Sequence, residues 1–304
     1  MYISIGSIIV DDIVLPNGHT HMGMFGGGGT HAIAGMRIWA QDVGIVSWVG
    51  RDFPLDMEAL LEKEFDLGGV LRRDLPTPRA WQVFEWDNRR TEIFRTGMHD
   101  FFVNSLRPDE FPVDYFGATG VHLQCDVQYF HEWINLLRGH GTRVIVWEPW
   151  GELCLPEKRG LFREFMPLVD AVSPNLLEAQ TLTGLDDPVG IARALLSDGA
   201  NLVALRMGAD GSLIATRDHK LIFIPAVKVE KIVDVTGAGN AYCGGFLVGL
   251  AETGDPIQAG CWGAVSGSFA LEQFGALYPF AGVHAEAFER LTHIQGELKC
   301  ESWS

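Results

Sequence analysis

The stretch VDVTGAGNAYCGGF, residues 233–246, is the part of the sequence that is most informative about the fold. An apolar, strand-like run precedes the turn Thr236-Gly237-Ala238-Gly239, and a helix-like run of small residues follows it. Backbone N–H groups at a helix start lack partners and lie at the positive end of the helix dipole, so this turn predicts an anion hole. The same glycines also suit a tight turn that lets a helix approach a sheet closely, and on local grounds both interpretations stay open.

Asn240 follows this turn, where a helix start that handles phosphate is expected to aim a charged side chain. A carboxamide has no useful basicity near neutral pH, so it cannot remove a proton as a carboxylate does. It can still orient a hydroxyl group through its amide oxygen. The turn therefore predicts an anion hole whose neighbouring base is missing.

The composition predicts one α/β domain over residues 1–304. Hydrophobic residues make up 47% of the chain and charged residues 20%, and no Pro/Ser-rich linker divides it. The net charge of −16 argues against nucleic-acid or anionic-membrane partners, because both need clustered Lys and Arg. The apolar run at residues 241–251 is too short to span a bilayer. Five cysteines without a CxxC pair, and no secretory signal, predict a reducing, cytoplasmic location.

Strand-like and helix-like segments alternate along most of the chain, which predicts a mostly parallel sheet with helices on both faces. Residues 79–95 interrupt this alternation with the pattern of an antiparallel hairpin that turns at Asp87-Asn88. We expect a small β lid from residues of about 11–25 and 79–104. Ligands of parallel sheets bind at the carboxyl ends of strands. By this rule we expect one rim of the sheet to carry the following residues: Asp11, residues 26–29, Glu148, Asn175, Gly208 and residues 237–240.

Two motifs have competing interpretations. Gly27-x-Gly29-x-x-Ala32, with Asp52 further along the chain, satisfies the dinucleotide pattern and gives a Rossmann dehydrogenase as a remote alternative. The loop does not directly end the first strand, however, and four glycines also let a helix approach another backbone or a ligand.

Asn175 and Glu178 stand three residues apart at a helix start. They form either a capping box or a polar pair near a metal-bound phosphate. The spacing does not choose between the two. A Walker-type phosphate loop is excluded, because the chain has no GxxxxGK[ST].

Taken together, these segments resemble the ribokinase-like (PfkB) carbohydrate kinase family, in the correct order along nearly the whole chain. The matching segments are residues 6–11, GGGGTHAIAG, VGRD, PNLLEAQTLTG, RMGADGSL, DVTGAGNAYCGGF and GCWGAVSGSFALEQFGA. The resemblance implies a three-layer α/β sandwich with a small β lid. It also implies Mg²⁺-ATP-dependent phosphorylation of a sugar, a nucleoside or a related alcohol.

The resemblance assigns roles to individual positions. The anion hole is Gly237, Ala238 and Gly239, with Asn240 beside it. Residues that contact the acceptor are Asp11, Gly27, Gly28, His31 and Glu148. Residues on the nucleotide side are Asn175, Arg206, Gly208, Gly211, Thr236 and Ala264. Glu178 lies on the metal side, and Asp234 matches a position that in some members lies beside a monovalent cation.

The chain departs from the family at several of these positions. Asn240 replaces the base, His31 replaces a loop Asn, Arg206 replaces a Thr, and Glu148-Pro149 stands where many relatives have Asp-Pro-Asn. This set is similar to the fungal branch typified by yeast maintenance-of-killer proteins.

Three hypotheses follow. The first is a kinase that uses Asn240 for positioning, with another acid or His31 as proton acceptor. The second is a pseudokinase that binds ligand without turnover, and the third is non-kinase chemistry on an anionic or acidic metabolite through His31 and Glu148. We also expect a homodimer through the lid, because Trp81, Phe84 and Trp86 give the hairpin apolar faces.

Overall fold

The central element is a nine-stranded sheet, seen in a computed structural model that describes residues 1–87, 89–97, 101 and 103–298. Its strands are β1 (Tyr2–Ile5), β4 (Val43–Gly50), β5 (Asp66–Arg73), β8 (Gly120–Leu123), β9 (Val144–Trp147), β10 (Ala171–Val172), β11 (Leu202–Arg206), β12 (Ser212–Thr216) and β13 (Leu221–Ile224). Their order is β13-β12-β11-β10-β9-β8-β1-β4-β5. All neighbouring pairs are parallel except β11/β12 and β12/β13, so the predicted mostly parallel sheet is confirmed.

Helices cover both faces of this sheet. They are α1 (Gly28–Arg37), α2 (Leu55–Glu62), α3 (Phe130–Gly139), α4 (Arg159–Phe165), α5 (Leu176–Thr183), α6 (Pro188–Ser197), α7 (Ala238–Thr253), α8 (Pro256–Ala270) and α9 (Val283–Glu297). One buried apolar cluster joins the sheet to α1, α2, α7, α8 and α9, and a second joins it to α3, α4, α5 and α6. Strands buried on both faces are mainly apolar, as β4 is apart from Ser47. None of the described helices has the length and apolar character needed to cross a membrane.

A second sheet of four strands lies apart from the first. Its strands are β2 (Ile9–Val14), β3 (Thr20–Gly26), β6 (Arg79–Phe84) and β7 (Arg90–Phe94), in the order β3-β2-β6-β7. Strands β6 and β7 form the predicted antiparallel hairpin, although Asn88 at its turn lies outside the described residues. We refer to this four-stranded sheet as the lid.

The opening run MYISIGSIIVDDIVL lacks a helical period and predicts one buried strand that ends at the two aspartates. That prediction is wrong, because the run forms two strands. The chain leaves the central sheet after Ile5 and enters the lid at Ile9, so Asp11 and Asp12 lie inside β2. Gly6 makes this break possible, because a Cβ there would lie 2.9 Å from the Cα of Gly29. The first central strand therefore ends against the glycine loop before α1.

Helices α1 and α7 pack backbone against backbone. A Cβ on Gly35 would lie 2.1 Å from the carbonyl oxygen of Ala241, and a Cβ on Gly244 would lie 2.0 Å from that of Ala32. Only glycine permits such an approach. The contact brings the beginnings of the two helices together at the rim of the sheet.

Candidate active site

The turn before α7 leaves backbone donors without acceptors. Gly237 is the N-cap and has a φ of 74°, in the region that favours glycine. A Cβ at this position would lie 2.1 Å from the ring of His31, so the turn and the imidazole are in direct contact. The N–H groups of Gly239 and Asn240 belong to the first helical turn, which has no intrahelical acceptors for them. No acidic residue occupies this turn, so an external anion suits it.

Buried polar atoms without hydrogen-bond partners surround this turn. Both ring nitrogens of His31, Oγ1 of Thr30 and Oδ2 of Asp234 are such atoms. Asp234 is held beside the turn because its Oδ1 accepts a 2.8 Å hydrogen bond from the N–H of Thr236. Burial, together with Arg90, lowers the pKa of His31 to about 4, so its imidazole is neutral at pH 7. Orphaned buried polar groups of this kind indicate a place for a ligand or an ion.

Asn240 points its amide nitrogen into the protein. Its Nδ2 donates to Oε2 of Glu148 at 3.0 Å, and the same oxygen lies 2.8 Å from Nε2 of His122. Glu148 is only 3% exposed, and its Oε1 lies 2.7 Å from Nη1 of Arg206. Burial works to raise the pKa of Glu148, but Arg206 and the hydrogen bonds from His122 and Asn240 outweigh it and lower that pKa to about 2. Glu148 is therefore a buried carboxylate at any physiological pH.

Two predicted contacts need correction as a result. Glu148 was expected at the acceptor and Arg206 at the nucleotide, yet each neutralises the other inside the protein. The guanidinium of Arg206 also donates to the carbonyl of Ser173 at 2.9 Å and lies 3.8 Å from Oε2 of Glu178. A Cβ on Gly239 would lie 2.3 Å from Nη1 of Arg206. We call Glu148, Arg206, His122 and Asn240 the buried polar cluster, and it lies beneath the turn predicted to be an anion hole.

His122, Glu148 and Cys243 also bring possible metal-ligand atoms within 4.8 Å of one another. Burial raises the pKa of Cys243, so its sulfur is a neutral thiol rather than the thiolate that metals prefer. His122 already contacts Ser4 through Nδ1 at 2.9 Å and Glu148 through Nε2. Hydrogen bonds and the Arg206 ion pair thus account for this group.

Asn175 and Glu178 form the capping box of α5. The N–H of Glu178 donates to Oδ1 of Asn175 at 2.9 Å, and the N–H of Asn175 donates to Oε2 of Glu178 at 2.8 Å. The capping box uses one of the two carboxylate oxygens of Glu178, and burial raises the pKa of Glu178. A single carboxylate oxygen beside a phosphate site fits Mg²⁺, which keeps several waters and binds substrate phosphates. The orphaned Oδ2 of Asp234 likewise fits a cation.

Two further residues predicted on the nucleotide side, Gly208 and Gly211, follow β11. Gly208 has a φ of 62° and Gly211 a φ of 84°, and the N–H of Met207 donates to the carbonyl of Gly211 at 2.8 Å to close the turn. A Cβ on Gly211 would lie 2.1 Å from the carbonyl oxygen of Ile224, so this strand approaches the turn closely. Ala264 lies on α8, half-buried against the apolar core.

Asp11 reaches the site from the lid. It is 3% exposed, and its Oδ1 accepts a 3.1 Å hydrogen bond from Nε2 of Gln82. Burial raises the pKa of Asp11 to about 7, against the lowering effect of the Gln82 hydrogen bond. A Cβ on Gly26 would lie 1.9 Å from Oδ2 of Asp11, so the glycine loop passes directly over the carboxyl group.

Several site residues escaped the sequence analysis. Gln124 directly follows β8, so the rule that ligands bind at the carboxyl ends of strands could have predicted it. Its Oε1 would lie 2.2 Å from a Cβ on Gly28. Beside it lies a cavity of about 30 Å³ whose lining includes Trp48, Phe101 and Trp150.

Arg90 and His122 were also missed. Arg90 projects from β7, and its Nη1 donates to Oγ1 of Thr236 at 3.4 Å, which connects the lid to the anion-hole turn. His122 lies inside β8, where nothing in the sequence separates it from an ordinary strand residue.

The dinucleotide pattern has a structural explanation, so the Rossmann alternative is wrong. Residues 27–32 follow the lid strand β3 rather than a strand of the central sheet. Asp52, the expected ribose ligand, accepts hydrogen bonds from the N–H of Thr77 at 2.6 Å and from its Oγ1 at 2.8 Å. It closes a turn instead.

Known proteins are similar to this chain in sequence over most of its length. An uncharacterized protein of Schizosaccharomyces pombe is 28% identical over 311 residues, which cover 90% of this chain and 85% of that protein. Protein MAK32 of Saccharomyces cerevisiae is 28% identical over 320 residues, with coverages of 90% and 85%. The cytidine kinase of Thermococcus kodakarensis is 29% identical over 256 residues, with coverages of 84% and 89%. The fungal matches confirm the expected branch.

Solved structures share the fold. The nucleoside kinase of Methanocaldococcus jannaschii superimposes with a TM-score of 0.75 at 22% identity and covers 96% of this chain and 98% of its own. The fructokinase of Vibrio cholerae O395, in its fructose-, ADP- and calcium-bound form, superimposes with a TM-score of 0.76 at 23% identity. The match covers 93% of this chain and 98% of the fructokinase chain. The pfkB family of carbohydrate kinases matches residues 10–281. The order of the strands, the lid and this match agree, and the chain belongs to the pfkB family of carbohydrate kinases.

Proposed function

We propose that this protein is a kinase that transfers the γ-phosphoryl group of ATP to a hydroxyl group of a small molecule. One observation carries the proposal: the open start of α7 meets the buried, unpartnered imidazole of His31 at Gly237. The N–H groups of Gly239 and Asn240 hold the charge that develops on the transferring group. This hole is intact even though Asn240 replaces the usual base.

Two cations assist the hole in this proposal. Glu178 would hold a hydration water of the Mg²⁺ bound to the nucleotide, and that ion would neutralise phosphate charge. A monovalent cation beside Asp234 accounts for the orphaned Oδ2. The ATP and Mg²⁺ requirement and a cytoplasmic location are parts of the same proposal.

Arg90 supplies the side-chain charge that Arg206 does not. Arg206 is neutralised by Glu148 and Glu178, whereas Arg90 forms no ion pair with any part of the chain that the structure describes. It lies on the lid and contacts Thr236 of the anion-hole turn. With a net charge of −16, the protein needs such a local cation to hold a polyphosphate.

The acceptor in this proposal is a nucleoside or a sugar. Asp11 and Gln124 offer hydrogen bonds to hydroxyl groups from two sides of the glycine loop. Trp48, Phe101 and Trp150 line the adjacent cavity and offer aromatic faces for a flat, unsaturated ring. At about 30 Å³ the cavity holds about one water, so an acceptor of this kind requires it to widen. The kinases of cytidine and nucleosides among the relatives are consistent with this choice.

A pseudokinase is the second candidate, and Asn240 favours it because no carboxylate stands at the hole. The non-kinase hypothesis loses its acid–base pair, since Glu148 is buried and its pKa lies at about 2.

One experiment separates the kinase from the pseudokinase. Calorimetry measures the binding of ATP and ADP with and without Mg²⁺, and a panel of nucleosides and sugars is then incubated with γ-labelled ATP. Transfer to at least one acceptor supports the kinase. ATP binding with no transfer to any acceptor leaves the pseudokinase, and absence of ATP binding overturns both.

A further inference from the structure

We propose that Glu148 is a positioning residue that acts through Asn240. It fixes the carboxamide so that Oδ1 faces the anion hole and accepts a hydrogen bond from the acceptor hydroxyl. This inference rests on the proposed kinase function. It adds a role for a buried residue that touches neither substrate nor nucleotide.

The orientation of the Asn240 amide follows from its partner. Oε2 of Glu148 is a carboxylate oxygen, and such an oxygen only accepts hydrogen bonds. The group 3.0 Å from it must therefore be the NH₂ of Asn240. A flipped amide would place two acceptors face to face in a buried site. Oδ1 consequently points away from Glu148.

The position of Glu148 is itself fixed from two further sides. Arg206 contacts Oε1 at 2.7 Å, and His122 contacts Oε2 at 2.8 Å from the neighbouring strand. Ser4 holds the other nitrogen of His122 at 2.9 Å. Three strands, β1, β8 and β11, thus hold the carboxylate that in turn holds Asn240. Both oxygens of Glu148 therefore have polar partners, and these partners restrict the geometry of the carboxylate.

The arrangement also explains why residue 240 carries no charge. Glu148 and Glu178 already share the single guanidinium of Arg206. A carboxylate at position 240 would place a further negative charge beside Oε2 of Glu148 in a buried environment. A neutral amide keeps the buried polar cluster balanced and retains an acceptor oxygen for the substrate.

The reaction then needs no protein base at this position. The acceptor oxygen attacks the γ-phosphorus, the bond from that phosphorus to the bridging oxygen breaks, and ADP leaves with the electron pair. The hydroxyl proton passes to an oxygen of the transferred phosphoryl group. Phosphoryl transfer tolerates this route because its transition state is loose and depends mainly on positioning and charge stabilisation.

A double-mutant cycle tests the inference. Glu148→Gln can present either a donor or an acceptor to Asn240, so the amide is no longer fixed. We expect kcat to fall about tenfold, with the KM for Mg²⁺-ATP changed less than twofold. In an Asn240→Ala background, Glu148→Gln is expected to cause no further fall in kcat. An equal fall in both backgrounds overturns the inference, because Glu148 would then act independently of Asn240.

A second variant and a spectroscopic measurement distinguish the loss of positioning from misfolding. Glu148→Asp keeps the charge that balances Arg206 but withdraws the oxygen from Asn240, so the same fall in kcat is expected from a folded protein. The side-chain NH₂ resonance of Asn240, identified by its loss in Asn240→Ala, should shift in Glu148→Asp. It should stay in place in Glu178→Gln, because Oε2 of Glu178 contacts Arg206 and the N–H of Asn175 rather than Asn240. An unshifted resonance in Glu148→Asp overturns the assigned orientation. If the wild type binds ATP without transfer, the proposed kinase fails, and this spectrum still decides the orientation.

Discussion

Arg206 and Glu148 form an ion pair beneath the backbone of Gly239, with 2.7 Å between Nη1 and Oε1 and with Glu148 only 3% exposed. The charge under the anion hole is therefore balanced within the protein before any nucleotide arrives. A buried pair of this kind tolerates little additional charge, because removing or adding one partner leaves a charge uncompensated. This relationship governs what can be placed at position 240.

Asn240→Asp alone is expected to destabilise the protein at pH 7. The new carboxylate lies beside Oε2 of Glu148, so its pKa rises above its unfolded value and the native state binds the extra proton. Stability then falls as the pH rises from about 4 towards 7, by about 1 to 3 kcal/mol in total. Asn240→Asp combined with Glu148→Gln should recover most of it. Urea unfolding between pH 4 and 8 checks this, and a pH-independent single variant would contradict it.

Arg90→Ala is expected to weaken ATP binding about tenfold and to leave ADP binding nearly unchanged. The Arg90 guanidinium contacts Thr236 at the hole, where it pairs with the γ-phosphate that ADP lacks. Arg89→Ala is the matched control, because Arg89 lies at the exposed hairpin tip, 3.9 Å from Asp87. Calorimetry with both nucleotides measures the difference. Equal losses for ATP and ADP would contradict the assignment of Arg90 to the γ-phosphate.

Asp11→Asn is expected to stabilise the protein above pH 7 while it weakens acceptor binding. Burial raises the pKa of Asp11 to about 7, so the folded state retains a proton that the unfolded chain has lost. Wild-type stability therefore falls as the pH rises from about 4 to about 7, and Asp11→Asn removes that fall. Thermal unfolding against pH shows the change.

The acceptor should respond to the same ionisation. As the pH rises through about 7, the Asp11 carboxylate forms and accepts hydrogen bonds from acceptor hydroxyl groups, so the acceptor KM should decrease. This pH dependence should be absent in Asp11→Asn. A KM profile that is identical in both proteins would count against Asp11 as the acceptor ligand.

Gly237→Ala is expected to abolish nucleotide binding. The added Cβ would lie 2.1 Å from the His31 ring, at a φ of 74° that alanine adopts poorly. Gly254→Ala at the other end of α7 is a matched control, since Gly254 has a φ of 65° and open space around it. The control should lose only about 1 kcal/mol of stability. Thermal shift with Mg²⁺-ATP separates strain from the loss of the site, and unchanged binding by Gly237→Ala would refute the assigned hole.

The outer face of the lid is expected to join two copies of the chain. Trp81 and Ile93 are cross-strand partners, 42% and 45% exposed, and Phe84 lies on the opposite face with Gln82. Trp81→Glu should convert a dimer to a monomer in light scattering, whereas Trp86→Glu at the hairpin tip should not. A monomeric wild type would show that this face serves another purpose.

The sequence predicted what depends on local patterns. The alternation of strand-like and helix-like segments indicated the parallel sheet, and the alternation of large and polar residues indicated the lid hairpin. The glycine turn at residues 236–239 marked the start of α7. It did not predict that Glu148 and Arg206 neutralise each other, because these residues are far apart in the chain and meet only in the folded sheet. For Asn175 and Glu178, the spacing permitted either a capping box or a polar pair near a metal-bound phosphate. The structure shows the hydrogen bonds of the capping box.

The close approach of α1 and α7 at Gly35 and Gly244 bears on how this protein can change over evolutionary time. In the proposed kinase, the glycine loop beside the acceptor leads into α1 and the anion hole leads into α7, so one closely packed helix pair carries both parts of the site. Substitutions that alter the choice of acceptor therefore accumulate most easily in the separate four-stranded sheet. New specificities can arise there without misaligning the phosphoryl donor, since the two helix starts keep their spacing throughout.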